Sequence, residues 1–72
     1  MYTVMVIDRR NGVNESFANS EPMATVGAAR AAMTRTFNSF TRVGTIYKTK
    51  GKDFAVAFEP DGWVAWFVRA LG

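Results

Sequence analysis

The chain has 72 residues, a mass of 8.0 kDa and a formal net charge of +3, which is the size of one small domain. Its apolar fraction of 49% is too high, and its charged fraction of 21% too low, for a disordered tail. The absence of cysteine and histidine excludes a disulfide framework, thiolate chemistry and the usual zinc sites. No apolar run approaches the ~20 residues of a membrane span, and the N-terminus does not have the order of a secretory signal. We therefore expect one cytoplasmic domain over residues 1–72, without metal, cofactor or membrane association.

The first elements in chain order are two strands joined by a tight turn. Residues 2–7 are rich in β-branched and aromatic side chains, and Asn11-Gly12 follows them. Asn-Gly is typical of hairpin turns because both residues tolerate positive φ, so a return strand is predicted over residues 13–17. The pattern leaves open whether the turn has two residues or includes a bulge at Gly12, which decides the faces that meet.

An amphipathic helix is predicted next, with Thr25 as the N-cap because its hydroxyl can accept a hydrogen bond from an unpaired amide of the first turn. Apolar residues recur at steps of three and four along one side of this segment: Val26, Ala29, Met33, Phe37 and Phe40. The spacing indicates a single helix with one core face.

Three short strands are predicted over residues 43–48, 53–58 and 63–69, with turns at Lys50-Gly51 and at Glu59-Pro60-Asp61-Gly62. A bulge at the second turn would pair Phe58 with Val64. This register places one set of large residues toward the helix: Phe54, Val56, Phe58, Val64, Trp66 and Val68. Val4 or Met5, Phe17 and the apolar helix residues complete the predicted core. The order ββαβββ predicts an α+β domain, an antiparallel sheet with one helix packed on one face.

The opposite face of the sheet is the predicted partner-binding site. In the same register it carries Trp63 and Phe67 above a floor of small residues, namely Ala55, Ala57 and Ala65. Large aromatic side chains over small ones are typical of binding hot spots. The last strand is expected at a sheet edge, where sheet extension across a two-fold axis, with Arg69 pairing to an acidic residue of the neighbour, would give a homodimer.

The layout also carries a resemblance. In size, cysteine-free composition and hairpin–helix–meander order, the chain is similar to small phage-encoded proteins that bind and disable host machinery. The resemblance implies a protein–protein interaction in which an inhibitor occludes a larger partner.

Nucleic-acid binding is the alternative prediction. Basic residues cluster at two predicted hairpin tips and near the helix end: Arg9, Arg10, Arg42, Lys48, Lys50 and Lys52. Basic tips beside aromatic strands are suited to phosphate attraction combined with base stacking.

Catalysis is not predicted, because a catalytic general base would have to be a lysine or a carboxylate. The carboxylates have structural explanations, such as Glu59 and Asp61 in a turn.

Overall fold

A computed structural model describes residues 1–10, 16–40 and 47–71 of the chain. The elements in chain order are β1 (Tyr2–Arg10), β2 (Ser16–Asn19), α1 (Val26–Ser39), β3 (Tyr47–Lys50), β4 (Phe54–Glu59) and β5 (Gly62–Ala70). The strands form one antiparallel sheet in the order β2-β1-β5-β4-β3, and α1 packs across β1, β5 and β4. The predicted α+β fold is confirmed. The Asn11-Gly12 turn and residues 43–46 of the third predicted strand lie outside the described residues.

Helix α1 begins as its sequence predicts. The Thr25 hydroxyl accepts a hydrogen bond from the Ala28 amide at 3.1 Å, so one of the unpaired amides of the first turn is satisfied. Ala29, Met33 and Phe37 are buried along the face that packs on the sheet. No helix of the described ranges has the length and apolar character needed to cross a membrane.

Strand β5 lies in the middle of the sheet. It pairs with β1 over nine residues, from Tyr2 opposite Ala70 to Arg10 opposite Gly62, and with β4 on its other side. The edges are β2 and β3. The prediction that the last strand lies at an edge is therefore wrong, because it considered only the local meander and not the pairing of the two chain ends.

The hairpin between β4 and β5 has a two-residue loop, Pro60-Asp61, and no bulge. Glu59 lies opposite Gly62 and Phe58 opposite Trp63, one position away from the predicted pairing. Gly62 has a φ of +149°, and a Cβ atom there would lie 1.9 Å from the carbonyl oxygen of Arg9. Glycine thus serves as the first ladder residue of β5, where β1 approaches closely, rather than as a bulge.

The shift by one position reverses the predicted role of β4, because alternate residues of a strand point to opposite faces. Ala55 and Ala57 are fully buried under α1, whereas Phe54 and Phe58 are 45% and 42% exposed on the other face and Val56 is half-buried. The prediction of Phe54, Val56 and Phe58 as core is wrong. Val64 and Trp66 are buried as predicted, and of the two alternatives predicted in β1 Val4 is buried whereas Met5 is half-buried.

Ala55 and Ala57 leave room under the helix for the large indole ring of Trp66. Ala55 is directly opposite Trp66 in the ladder, and the indole contacts Phe37 and Phe40 edge to face, with centroid distances of 5.4 and 5.2 Å. A small residue next to a large one fills a layer at the density of a protein interior. This aromatic group forms the centre of the core.

Candidate functional site

The candidate site is the sheet face that α1 does not cover, which we call the open face. Strand register and alternation assign its residues: Thr3, Met5, Ile7 and Arg9 of β1, Tyr47 and Thr49 of β3, Phe54, Val56 and Phe58 of β4, and Trp63, Ala65, Phe67 and Arg69 of β5. An antiparallel sheet with one solvated face normally alternates apolar and polar residues. Here both faces are mainly apolar.

The open-face residues line up in rows across the strands. One row runs through Tyr47, Phe58 and Trp63 to Arg9, and another pairs Phe54 with Phe67 beside Met5. The rings of Tyr47 and Phe58 are 6.1 Å apart at an angle of 33°. Tyr47 is 59% exposed. Two aromatic ridges therefore cross the sheet on the side that faces solvent.

A shallow groove of about 270 Å³ lies between these ridges. Val56 and Ala65 are opposite each other in the ladder and form its floor, while Phe58, Trp63 and Phe67 line its sides. Ala65 is only 2% exposed because the larger rings flank it. The groove presents almost entirely apolar atoms, so it is suited to apolar side chains rather than to a charged ligand.

Charged residues are sparse on the open face. Register assigns Arg9 and Arg69 to it, at opposite ends of the β1–β5 pair, and the described strands contribute no carboxylate. The Arg69 guanidinium lies 3.7 Å from the Met5 sulfur, which confirms the side on which it lies.

The carboxylates of the described strands and turns lie elsewhere. Asp8 accepts a hydrogen bond from Arg10 Nε at 2.8 Å, and this contact is the main cause of a raised pKa of Arg10. Asp53 accepts one from Arg30 Nε at 2.7 Å, which lowers the pKa of the Asp53 carboxyl. Both carboxylates are therefore ion-paired within the fold.

The predicted partner-binding residues are divided between the two faces. Trp63, Phe67, Ala65 and Arg69 belong to the open face, with Trp63 and Phe67 half-buried and Arg69 exposed. Ala55 and Ala57 are on the helix face and fully buried, so the expectation that they form the floor beneath the aromatic residues is wrong.

The open-face positions of Tyr47, Phe54, Val56 and Phe58 were not predicted from the sequence. The available signal was the two-residue spacing of Phe54, Val56 and Phe58, which places them on one face whatever the register. The identity of that face depended on the turn.

The predicted nucleic-acid residues do not form one basic surface in the described parts of the chain. The Lys48 ammonium donates hydrogen bonds of 2.9 Å to the carbonyl oxygens of Phe37 and Phe40 and lies 4.5 Å from the centroid of the Phe37 ring. It therefore binds the C-terminal end of α1, where carbonyl groups lack helical partners.

The other basic residues are dispersed. Arg10 is paired with Asp8, and its guanidinium lies 5.5 Å from the centroid of the Phe40 ring on the helix side. Lys50 and Lys52 are exposed at the β3–β4 turn, and Arg9 is exposed at the end of the aromatic row. Arg42 lies outside the described residues.

Within the described ranges no three metal-ligating side chains come together in a way that could hold a metal ion. No family model matches the chain, and comparisons with curated proteins and with solved structures give no significant match.

Proposed function

We propose that this protein is a non-enzymatic protein-binding module that acts through its open face. The observation that carries the proposal is the exposure of Tyr47, Phe54 and Phe58, at 59, 45 and 42%, on the sheet face that also holds the apolar groove. Contiguous apolar patches of this kind mark interaction surfaces, because exposing them to water has a free-energy cost that burial against a partner removes.

The composition of the surface supports a protein partner. Aromatic residues are enriched and charged residues depleted in the centre of protein interfaces, and charges concentrate at the rim. The open face has this arrangement, with Arg9 and Arg69 at its ends and aromatic and aliphatic residues between them. Bound in this way, the domain would act by occlusion, since a rigid sheet covers the partner surface that it contacts.

Nucleic acid is the alternative ligand class. Aromatic residues on a sheet can stack on bases, and Arg9 and Arg69 could contact phosphates. The structure provides less support for this class, because Lys48 and Arg10 are engaged in contacts within the fold.

Affinity capture from a lysate of the native host tests the proposal. The bait is the wild-type chain, compared with a Phe54→Ser, Phe58→Ser variant. The matched control is Leu71→Ser, which removes an apolar side chain of similar exposure, 41%, just beyond β5. We expect nuclease-resistant proteins that both wild type and control retain and the double variant loses.

Two results would contradict the proposal. One is retention of the same proteins by the double variant. The other is recovery of nucleic acid alone, with binding that weakens steeply as salt increases and that is reduced by Lys50→Ser, Lys52→Ser.

A further inference from the structure

We infer that the open face is covered in solution by a second copy of this chain, so that two sheets pack face to face with the helices outside. The inference rests on the proposed function and names the occupant of the same surface in the purified protein, which a larger partner would displace. It differs from the sheet extension predicted from the sequence, because β5 already has a hydrogen-bonded strand on each side.

The open face is an apolar sheet surface that no element of the described chain covers. A sheet that is apolar on both faces needs a layer on each, and α1 supplies only one. Ile7 and Val56 lie in the row between the aromatic ridges, Met5 lies at the end of one ridge, and all three remain only half-buried. Two aligned sheets about 10 Å apart would enclose these residues, as in a β-sandwich.

The dimensions of the face match what a stable dimer needs. The principal extents of the chain are 35 × 22 × 15 Å. An ellipse with the two longer axes covers about 600 Å², so two copies would bury about 1,200 Å², the lower end of the range for specific interfaces. A single peptide strand or helix would leave part of this area exposed.

The ridges and the groove of the open face allow one copy to fit against another. The row through Phe58 and Trp63 and the pair of Phe54 and Phe67 stand on either side of the lower row that contains Val56 and Ala65. A two-fold axis lets a ridge of each copy enter the groove of the other, and each contact then occurs twice.

Charge favours burial of the centre of the face. Its charged residues, Arg9 and Arg69, are at the two ends, where they stay at the rim of a face-to-face dimer. No described strand places a charge between them on this face, so burial of the central rows removes no ion from water.

Light scattering coupled to size-exclusion chromatography tests this inference over a dilution series of the purified chain. The wild type is expected to elute with twice the mass of one chain. Phe54→Ser, Phe58→Ser should raise the dissociation constant about 100-fold or more, since two exposed rings leave the interface. The control Leu71→Ser should keep the wild-type mass, and circular dichroism verifies the fold of each variant.

A second variant keeps the test decisive if the double variant does not fold. Thr49→Arg adds a charge to the open face without removing an apolar group, and it should also produce monomers. A wild type that is monomeric and folded up to millimolar concentration overturns the inference, as does a Thr49→Arg or folded double variant that stays dimeric. If the wild type is monomeric but still captures host proteins through Phe54 and Phe58, the inference of a homodimer is wrong and the proposed function is unaffected.

Discussion

Lys48 stabilises the C-terminal end of α1 from a neighbouring strand. Its ammonium donates to the carbonyl oxygens of Phe37 and Phe40, both at 2.9 Å, and lies against the Phe37 ring. The helix has no basic residue of its own in its last turn. A cation from β3 therefore supplies the favourable interaction with the helix dipole that the helix sequence does not.

We expect Lys48→Met to lower the free energy of unfolding by about 1–2 kcal/mol, since charge-assisted hydrogen bonds to carbonyl oxygens at the C-terminal end of α1 are lost. Urea denaturation monitored by circular dichroism measures this. The control is Lys50→Met, two residues along the same strand and exposed, which should change stability by less than about 0.5 kcal/mol. Equal effects of the two substitutions would contradict the role of Lys48 as a helix cap.

The Arg30–Asp53 ion pair ties α1 to the β3–β4 turn. The hydrogen bond from Arg30 is the main cause of the lowered pKa of Asp53. A depressed carboxyl pKa contributes stability that is fully present above the unfolded value of about 3.9 and is lost as the pH falls through the folded value.

A ¹³C NMR titration should therefore give a midpoint for Asp53 below about 3.9, and Arg30→Gln should raise it. The stability difference between wild type and Asp53→Asn should disappear in strong acid. If the midpoint is unchanged in Arg30→Gln, the ion pair does not form in solution.

At the scale of elements, the helix and the strands of the described residues follow from local patterns, but the register of the last hairpin does not. Thr25 and the three-to-four-residue apolar spacing predicted α1, and β-branched and aromatic runs predicted the strands. Strand β4 reads Phe-Ala-Val-Ala-Phe, and β5 is similarly apolar on both faces. Register is well specified only when one face is polar, so composition could not decide which face of β4 meets the helix.

The central position of β5 could not be predicted for a different reason. It depends on the pairing of residues 2–10 with residues 62–70, at opposite ends of the chain. No local signal reports such a pairing. The predicted open face included Trp63 and Phe67 but not Phe54 and Phe58. Phe54 and Phe58 were left out because the predicted register of the β4–β5 hairpin was wrong by one position.

The register of the β4–β5 turn depends on Gly62, which lies opposite Glu59 and close to the Arg9 carbonyl. Gly62→Ala should destabilise the fold by about 3 kcal/mol, because the new Cβ would collide with the Arg9 carbonyl at a φ that alanine rarely adopts. Thermal melts measure the effect.

The matched control is Gly27→Ala in the first turn of α1, where an added Cβ meets nothing within 4 Å. It should raise stability by up to ~1 kcal/mol through helix propensity. A Gly62→Ala protein as stable as wild type would show that β1 and β5 are not as close as the ladder implies.

At the scale of the whole molecule, the domain must stabilise a 72-residue chain without disulfides, and metal-ligating clusters are absent from its described part. One aromatic core lies under α1, and a second apolar surface of comparable width faces outward. Covering that surface would add a second core shared between two chains. In this account, stability and protein binding depend on the same side chains.

A filtered nuclear Overhauser experiment on a 1:1 mixture of ¹³C-labelled and unlabelled chains tests directly whether the open face is an interface between two copies of the chain. We expect cross-peaks between the methyl groups of Ile7 and Ala65 in one copy and the rings of Phe58 and Trp63 in the other. Such cross-peaks require protons within about 5 Å, which aligned sheets ~10 Å apart provide. Intermolecular cross-peaks confined to α1 or to the edge strands, or none at millimolar concentration, would contradict this interface.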